Sequence, residues 1–380
     1  MFEDIRPFCN EEVPHAIESL LGETAFFRAL RFIKPEFDEE AFIVALRACK
    51  TKEEFKHVLA YDAVTSIAMA TTFSLDISGG SRLAQGIPCT FISNHRDIIL
   101  DAAFLNTTLF NVGRGMTQIA IGSNLFVWPW IETLVRLNNS FIVKRGLPLR
   151  QQLEASRTLS QYIHYTIKET RESLLIAQRE GRCKDSNDHT QGSILKMLNM
   201  AGEGNILDNL LALNIVPIAL SYEIDPCDYL KAREYQQKRD NPAYEKNPHD
   251  DLLNMETGIL SYKGRVHITI GHPINDVIAS VDRGMDKVEL YAAIAKVIDR
   301  EIHLSYRFYA NNYIAYDLLT EVQRFSSLYS PQERVQFEEY LQRQVDKISL
   351  PNKDEAFLRN KILEMYSNPL RNHLIALQGE

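Results

Sequence analysis

The stretch Phe91-Ile-Ser-Asn-His-Arg-Asp-Ile-Ile-Leu-Asp101 runs from a short apolar segment into a polar cluster holding one imidazole and two carboxylates. Residues 88–93 have the length and the β-branched and aromatic content of a buried strand. Beyond the cluster, Ile98, Ile99, Ala102, Ala103, Phe104 and Leu105 recur at helical spacing, with Asp97 placed as the N-cap. His95 is therefore predicted in a strand-to-helix loop. In open α/β sheets ligands gather at such loops, where the helix also offers unpaired N–H groups. Asp97 and Asp101 stand four residues apart on one helix face, and either can accept the imidazole N–H and fix its tautomer. This pattern suits general-base activation of a hydroxyl or amine. An ordinary loop histidine beside a capping aspartate would leave the same letters, so other segments must decide. His95-Arg96-Asp97 also spells the opening of a protein-kinase catalytic loop, but the place of that loop's asparagine holds Ala102, and no Gly-rich loop or Asp-Phe-Gly accompanies it.

Working outward, residues 73–272 alternate short apolar runs with amphipathic segments. Strands are expected at 73–77, 88–93, 117–121, 140–144, 173–177, 215–222 and 265–270, and helices at 125–135, 149–169, 192–201 and 206–213. The alternation predicts an α/β fold, a mostly parallel mixed sheet flanked by helices. Residues 11–21, 24–32, 38–48 and 52–71 read as helices, punctuated by Gly22, Pro35 and the Lys50-Thr51 junction. They suggest an N-terminal helical subdomain over 1–72, with nothing catalytic in it. The α/β core is placed at 73–284 and a C-terminal helical extension at 285–380. Within the extension, helices are expected near 286–305, 331–347 and 354–366, the second opened by the capping box Ser330-Pro331-Gln332-Glu333. Residues 234–251 are polar and aperiodic and read as a surface loop or flap.

The 380 residues are 45% hydrophobic and 24% charged, ordinary for a globular protein. A net charge of −8 argues against a general nucleic-acid binder. Five scattered cysteines without a C-x-x-C suggest neither a disulfide framework nor a thiolate metal site, and fit a reducing cytosol. No signal-peptide pattern opens the chain, and no run approaches the ~18 apolar residues of a spanning helix. The expectation is a cytoplasmic protein that meets a membrane, if at all, on its inner face as a peripheral protein. Phe126-Val-Trp128-Pro-Trp130 is a candidate for such contact, although a pair of tryptophans in a core helix is the simpler reading.

Three further segments bear on chemistry. Phe141-Ile-Val-Lys144-Arg145-Gly146 is a strand ending in two cations, suited to a phosphate. Leu174-Leu-Ile-Ala177-Gln-Arg179-Glu180-Gly181-Arg182 is another, and Gly181 lets the backbone approach a ligand. Asn214-Ile-Val-Pro217-Ile-Ala-Leu-Ser-Tyr222 contains a proline that cannot donate to a sheet ladder, which suggests an edge strand or bulge. His267 and His272 read as structural. Together the two cationic strand ends and the His95 loop imply a crevice for an anionic substrate bearing a nucleophilic hydroxyl.

In this order, the four segments resemble the blocks of the glycerolipid acyltransferase family, and of the glycerol-3-phosphate acyltransferases in particular. Asn94-His95-Arg96, Phe141-Ile142-Val143-Lys144-Arg145, Glu180-Gly181-Arg182 and Val216-Pro217 stand at the matching places. One departure stands out: the family places an Asp five residues after its His, where this chain has Leu100, and the carboxylate falls at Asp101. Either the loop carries an extra residue and Asp101 serves, the preferred reading, or Asp97 orients the imidazole.

The resemblance implies acyl transfer from a thioester on acyl carrier protein or coenzyme A to the hydroxyl of glycerol-3-phosphate or 1-acylglycerol-3-phosphate. His95 would act as base, and Arg96, Lys144, Arg145, Arg179, Glu180, Gly181 and Arg182 would bind substrate. Backbone N–H groups near the helix start could serve the oxyanion. No metal and no cofactor beyond the thioester substrate are implied, in keeping with the lack of H-E-x-x-H and G-x-S-x-G. The implied partners are the donor, the phosphorylated acceptor and a carrier protein or membrane surface, not nucleic acid. Another anionic amino- or hydroxy-lipid acceptor remains open, as does a non-catalytic lipid- or carrier-binding module. The latter gains if neither aspartate reaches His95.

Overall fold

The computed structural model describes residues 1–33 and 38–379, so the break expected at Pro35 lies outside the described residues. Among them seven strands form one sheet: β1 Ser74–Ser78, β2 Thr90–Ser93, β3 Gln118–Gly122, β4 Ser140–Val143, β5 Leu174–Ala177, β6 Ile215–Tyr222 and β7 Arg265–Ile270. Their order is β1-β7-β6-β2-β5-β3-β4. Only β6 and β7 run antiparallel, so the sheet is mixed and mostly parallel. The central strands are apolar on both faces, as strands covered on both sides must be. Phe91, Leu175, Val216 and Ile218 face the helices Asp62–Thr71 and Leu100–Asn111. Ile92, Leu174, Ile176 and Ile215 face the helices Leu149–Tyr165, Gly192–Asn199 and Lys287–Leu304. A one-residue slip would exchange these sets, so burial on both faces fixes the register.

Pro217 does not mark an edge. It lies in β6 between β2 and β7, and the whole strand is buried. Its carbonyl accepts the Gly271 N–H at 2.8 Å, one residue past the end of β7. The β6–β7 ladder begins only at the Ile218–Ile270 pair, so the missing proline donor falls beyond it.

The expected loop at 234–251 is mostly helix. Asp228–Asp240 and Pro248–Leu260 are helical, leaving residues 241–247 as their connection. No apolar period marks the first of these helices because polar contacts hold it. Glu234 pairs with Lys184 and Lys238, Gln236 donates to the Asn352 carbonyl at 2.5 Å, and Ala232 packs with the C-terminal helices.

The Ser330 capping box is formed, with the Glu333 N–H on Ser330 Oγ at 3.1 Å and the Ser330 N–H on Glu333 Oε2 at 2.8 Å. The final helix, Glu355–Gln378, runs well past 366 and through Pro369, with Met365, Tyr366 and Leu370 buried around the proline. At the other end, Val13, Leu20, Phe26, Leu46 and Phe55 form a core with Trp130 and Leu137. The tryptophans are not both core residues. Trp130 is buried in this cluster, whereas Trp128 is 43% exposed and stacks on it from outside.

Candidate active site

The loop from β2 to the helix Leu100–Asn111 is organised by its two carboxylates. His95 Nδ1–H donates to Asp101 Oδ2 at 2.8 Å. The same oxygen accepts the N–H of Arg96 at 2.6 Å and of Asp97 at 3.0 Å, and Oδ1 accepts the Tyr222 hydroxyl at 3.0 Å. Burial keeps Tyr222 protonated, well above the usual phenol range, with the Asp101 charge adding to the effect. Asp101 is thus fixed by four donors. The extra residue of this loop is absorbed in the turn, and the imidazole keeps a carboxylate partner.

Asp97 has another task. Its Oδ1 accepts the N–H of Ile99 at 2.9 Å and of Leu100 at 2.7 Å, capping the helix from inside the loop. The helix itself begins at Leu100 and not directly after Asp97. Burial, then the neighbouring Asp101 charge, raises the Asp97 carboxyl above its ordinary range. Gly258 is required beside it, because a Cβ there would lie 2.1 Å from Asp97 Oδ2. The helix-start amides of Arg96, Asp97, Ile99 and Leu100, considered for an oxyanion, are therefore spent on these two carboxylates.

Arg96, expected to bind substrate, is not among the residues that line the cavity described below. Its guanidinium turns inward to Asp188, with Nη1 on Oδ1 at 3.0 Å and Nη2 on Oδ2 at 2.5 Å, and Tyr306 donates to the same carboxylate. Burial works against the Arg96 charge and the Asp188 carboxylate more than offsets it, so the guanidinium stays protonated. Lys231 Nζ closes the arrangement by donating to the Arg96 carbonyl at 3.0 Å.

His95 and Asp101 open onto a cavity of about 1240 Å³, which also reaches Lys144, Arg145, Arg179, Glu180, Gly181 and Arg182. The ends of β2, β4 and β5 are thereby brought to one space. Gly181 takes a φ of +67°, a conformation glycine adopts without strain. Arg182 Nη2 donates to Asn254 Oδ1 at 2.9 Å, while its Nη1 and the Nε of Arg179 are buried without a partner. Unpaired buried donors are costly, and here they lie along an open cavity. Arg145 pairs with Glu180 at 2.9 Å. Lys144 is less engaged with the cavity than the sequence suggested, since its ammonium is tied to Asp4. Among the described residues no group of three His, Cys, Asp or Glu side chains is arranged to hold a metal ion.

The rest of the wall is largely apolar, and much of it comes from the N-terminal helices, whose place here no local signal announces. Leu30, Phe55, Leu59, Val64 and Ile67 line the cavity beside Trp130 and Leu134. Their helical period signals only an inward face. Tyr222, Lys231 and Asp188 were likewise missed, and none carries a local signal of its role. His267 and His272 bond to Ser78 and Glu301 at 2.8 Å each.

Residues 74–221 match the sequence profile of the family described as Acyltransferase. That stretch, about two fifths of the chain, is similar to acyltransferases. β1 to β5, β6 as far as Ser221 and the whole His95 loop lie within it, while the apolar helices before residue 74 and the residues after 221 lie outside. No curated protein matches the chain. Among solved structures, the 1-acyl-sn-glycerophosphate acyltransferase PlsC from Thermotoga maritima aligns with 77% of this chain and 95% of its own, at 12% identity and a TM-score of 0.35, a loose likeness. Among the described residues no helix is long and apolar enough to cross a membrane.

Proposed function

We propose that this acyltransferase moves a fatty acyl group from a thioester, on acyl carrier protein or coenzyme A, to the hydroxyl of glycerol-3-phosphate or 1-acylglycerol-3-phosphate. The observation that supports this most is the imidazole held by Asp101 on a cavity lined by both guanidinium groups and apolar helices. At about 1240 Å³ the cavity exceeds the usual range for a single small ligand, roughly 300–1,000 Å³, and so has room for two substrates.

In this reading the Nδ1–H to Asp101 bond leaves His95 Nε2 free to accept the proton of the acceptor hydroxyl as its oxygen attacks the thioester carbonyl. The tetrahedral intermediate collapses by breaking the carbon–sulfur bond, and the imidazolium returns the proton to the departing thiolate. Asp101 holds the ring through that bond and steadies the imidazolium. Arg145, Arg179 and Arg182 take the acceptor phosphate, whose charge competes with Glu180 for Arg145. The acyl chain lies against Leu30, Leu59 and Ile67.

The test is incubation of the purified protein with acyl carrier protein and coenzyme A thioesters against a panel of hydroxyl and amine acceptors, with products read by mass spectrometry. Acylated glycerol phosphate as the main product supports the reading. Acylation confined to acceptors without a phosphate would contradict the role given to the arginines, and no acyl product from any pair would remove the proposed function.

A further inference from the structure

The helix Leu149–Tyr165 borders the cavity and carries a second surface that the chemistry above does not use. Each residue turns about 100° around a helix, so Gln152, Ser156 and Leu159, which line the cavity, share one face. The adjoining face carries Leu149 and Leu153, 85% and 59% exposed. Beyond them come Arg150 and Arg157, both exposed and, among the described residues, without an ion-pair partner. Glu154 lies farther round still. Read across the helix, the order is cavity edge, exposed leucines, free guanidiniums.

A second segment bordering the same cavity also carries exposed apolar side chains. The Arg145 N–H donates to Ser123 Oγ at 3.0 Å, which ties the segment leading into this helix to the loop after β3. That loop presents Val127 and Trp128, both about two-fifths exposed, and Trp128 also lines the cavity. Isolated exposed leucines are common on protein surfaces. Four large apolar side chains from two tethered segments, next to the opening of an apolar cavity, are a different arrangement.

Apolar side chains flanked by cations suit the boundary of an anionic bilayer. The apolar groups enter the headgroup region and the guanidiniums meet phosphates at its surface. On a chain of net charge −8, this local excess of cations gives charge complementarity to such a surface that the molecule as a whole lacks. We infer that Val127, Trp128, Leu149 and Leu153, with Arg150 and Arg157 beside them, seat the cavity opening on an anionic lipid surface. The inference rests on the proposed acyl transfer in one respect: it gives the acylated product a direct path from cavity to lipid.

The experiment is co-sedimentation of the full chain with vesicles of phosphatidylcholine alone and with about one third phosphatidylglycerol. Trp fluorescence is read in parallel. The native protein is expected to pellet with the anionic vesicles and to show a blue shift. Leu149→Asp with Leu153→Asp should cut the bound fraction at least tenfold, and Arg150→Gln and Arg157→Gln about fivefold each at low salt. Turnover of a short, water-soluble thioester should be unchanged in all of these variants, since none of the four residues lines the cavity. Absence of native binding, or binding that ignores the leucine substitutions, would overturn the inference. So would binding of an acidic carrier protein, in place of vesicles, that the same substitutions abolish. Vesicle binding is read without turnover, so a protein that binds lipid but transfers no acyl group contradicts the proposed function alone.

Discussion

Asp101 takes hydrogen bonds from the His95 ring, two backbone amides and the Tyr222 hydroxyl, so its place is set before any substrate arrives. An asparagine there keeps the size but can offer an N–H to the imidazole, which then carries its own proton on Nε2 and cannot act as base. Asp101→Asn is predicted to lower kcat by about 10³–10⁴-fold with little change in the thioester KM. Steady-state kinetics decide this, and a kcat within tenfold of native would contradict it. Arg145→Ala removes a charged hydrogen-bond donor worth about 1.5–3 kcal/mol. The expected result is an acceptor KM raised about ten- to a hundredfold, with the thioester KM unchanged. That His95, Arg145 and Arg182 would meet at one cavity was legible because each stands where an apolar run stops and a loop begins. Arg96 does not join them for a physical reason: its neighbours in sequence say loop, while its partner Asp188 lies 92 residues away and draws it inward. The preference for Asp101 over Asp97 came from spacing, and the structure adds why Asp97 is occupied, since it caps the helix.

At the scale of elements, the His95 loop is braced from behind by segments far along the chain. Arg96 is held through Asp188 and Tyr306, and its carbonyl through Lys231 on the helix Asp228–Asp240. Removing the carboxylate leaves a guanidinium buried without its counter-charge, a loss of about 3–5 kcal/mol in comparable sites. Asp188→Asn is therefore expected to lower the unfolding midpoint in urea and, if His95 is the base proposed above, to reduce kcat more than either KM, because Arg96 adjoins His95. Equal urea midpoints for native and variant would show that the brace is unimportant. The elements themselves were read unevenly. Strands buried on both faces announce themselves as continuous apolar runs, and β6 and β7 were placed to the residue. Asp228–Asp240 and Pro248–Leu260 were not, since the first is held by ion pairs and amide contacts that leave no apolar period. Pro217 misled because a ladder that begins one residue later is invisible without the partner strand.

Across the whole molecule, the cavity joins the sheet ends to apolar helices that precede the stretch matching the acyltransferase profile. The C-terminal helices close around a buried acid. Asp228 accepts the hydroxyls of Tyr340 at 2.6 Å and Tyr366 at 2.9 Å. Burial raises its pKa to about 7 from a model-compound value of 3.8, against the pull of the two tyrosines. Between about pH 4 and 7 the folded chain holds a proton there that the unfolded chain releases, so this group lowers stability as pH rises and its effect levels off above 7. Asp228→Asn cannot ionise and is expected to remove that part of the slope. Urea unfolding from pH 4.5 to 7.5 should show native stability falling relative to the variant, and parallel curves would refute the assignment. The most direct measurement of the central claim is single-turnover transfer from a labelled acyl thioester to glycerol-3-phosphate by native protein and by His95→Ala, with folding matched by circular dichroism. A base held by Asp101 predicts transfer at least a hundredfold slower in the variant; transfer within a few-fold of native would contradict it.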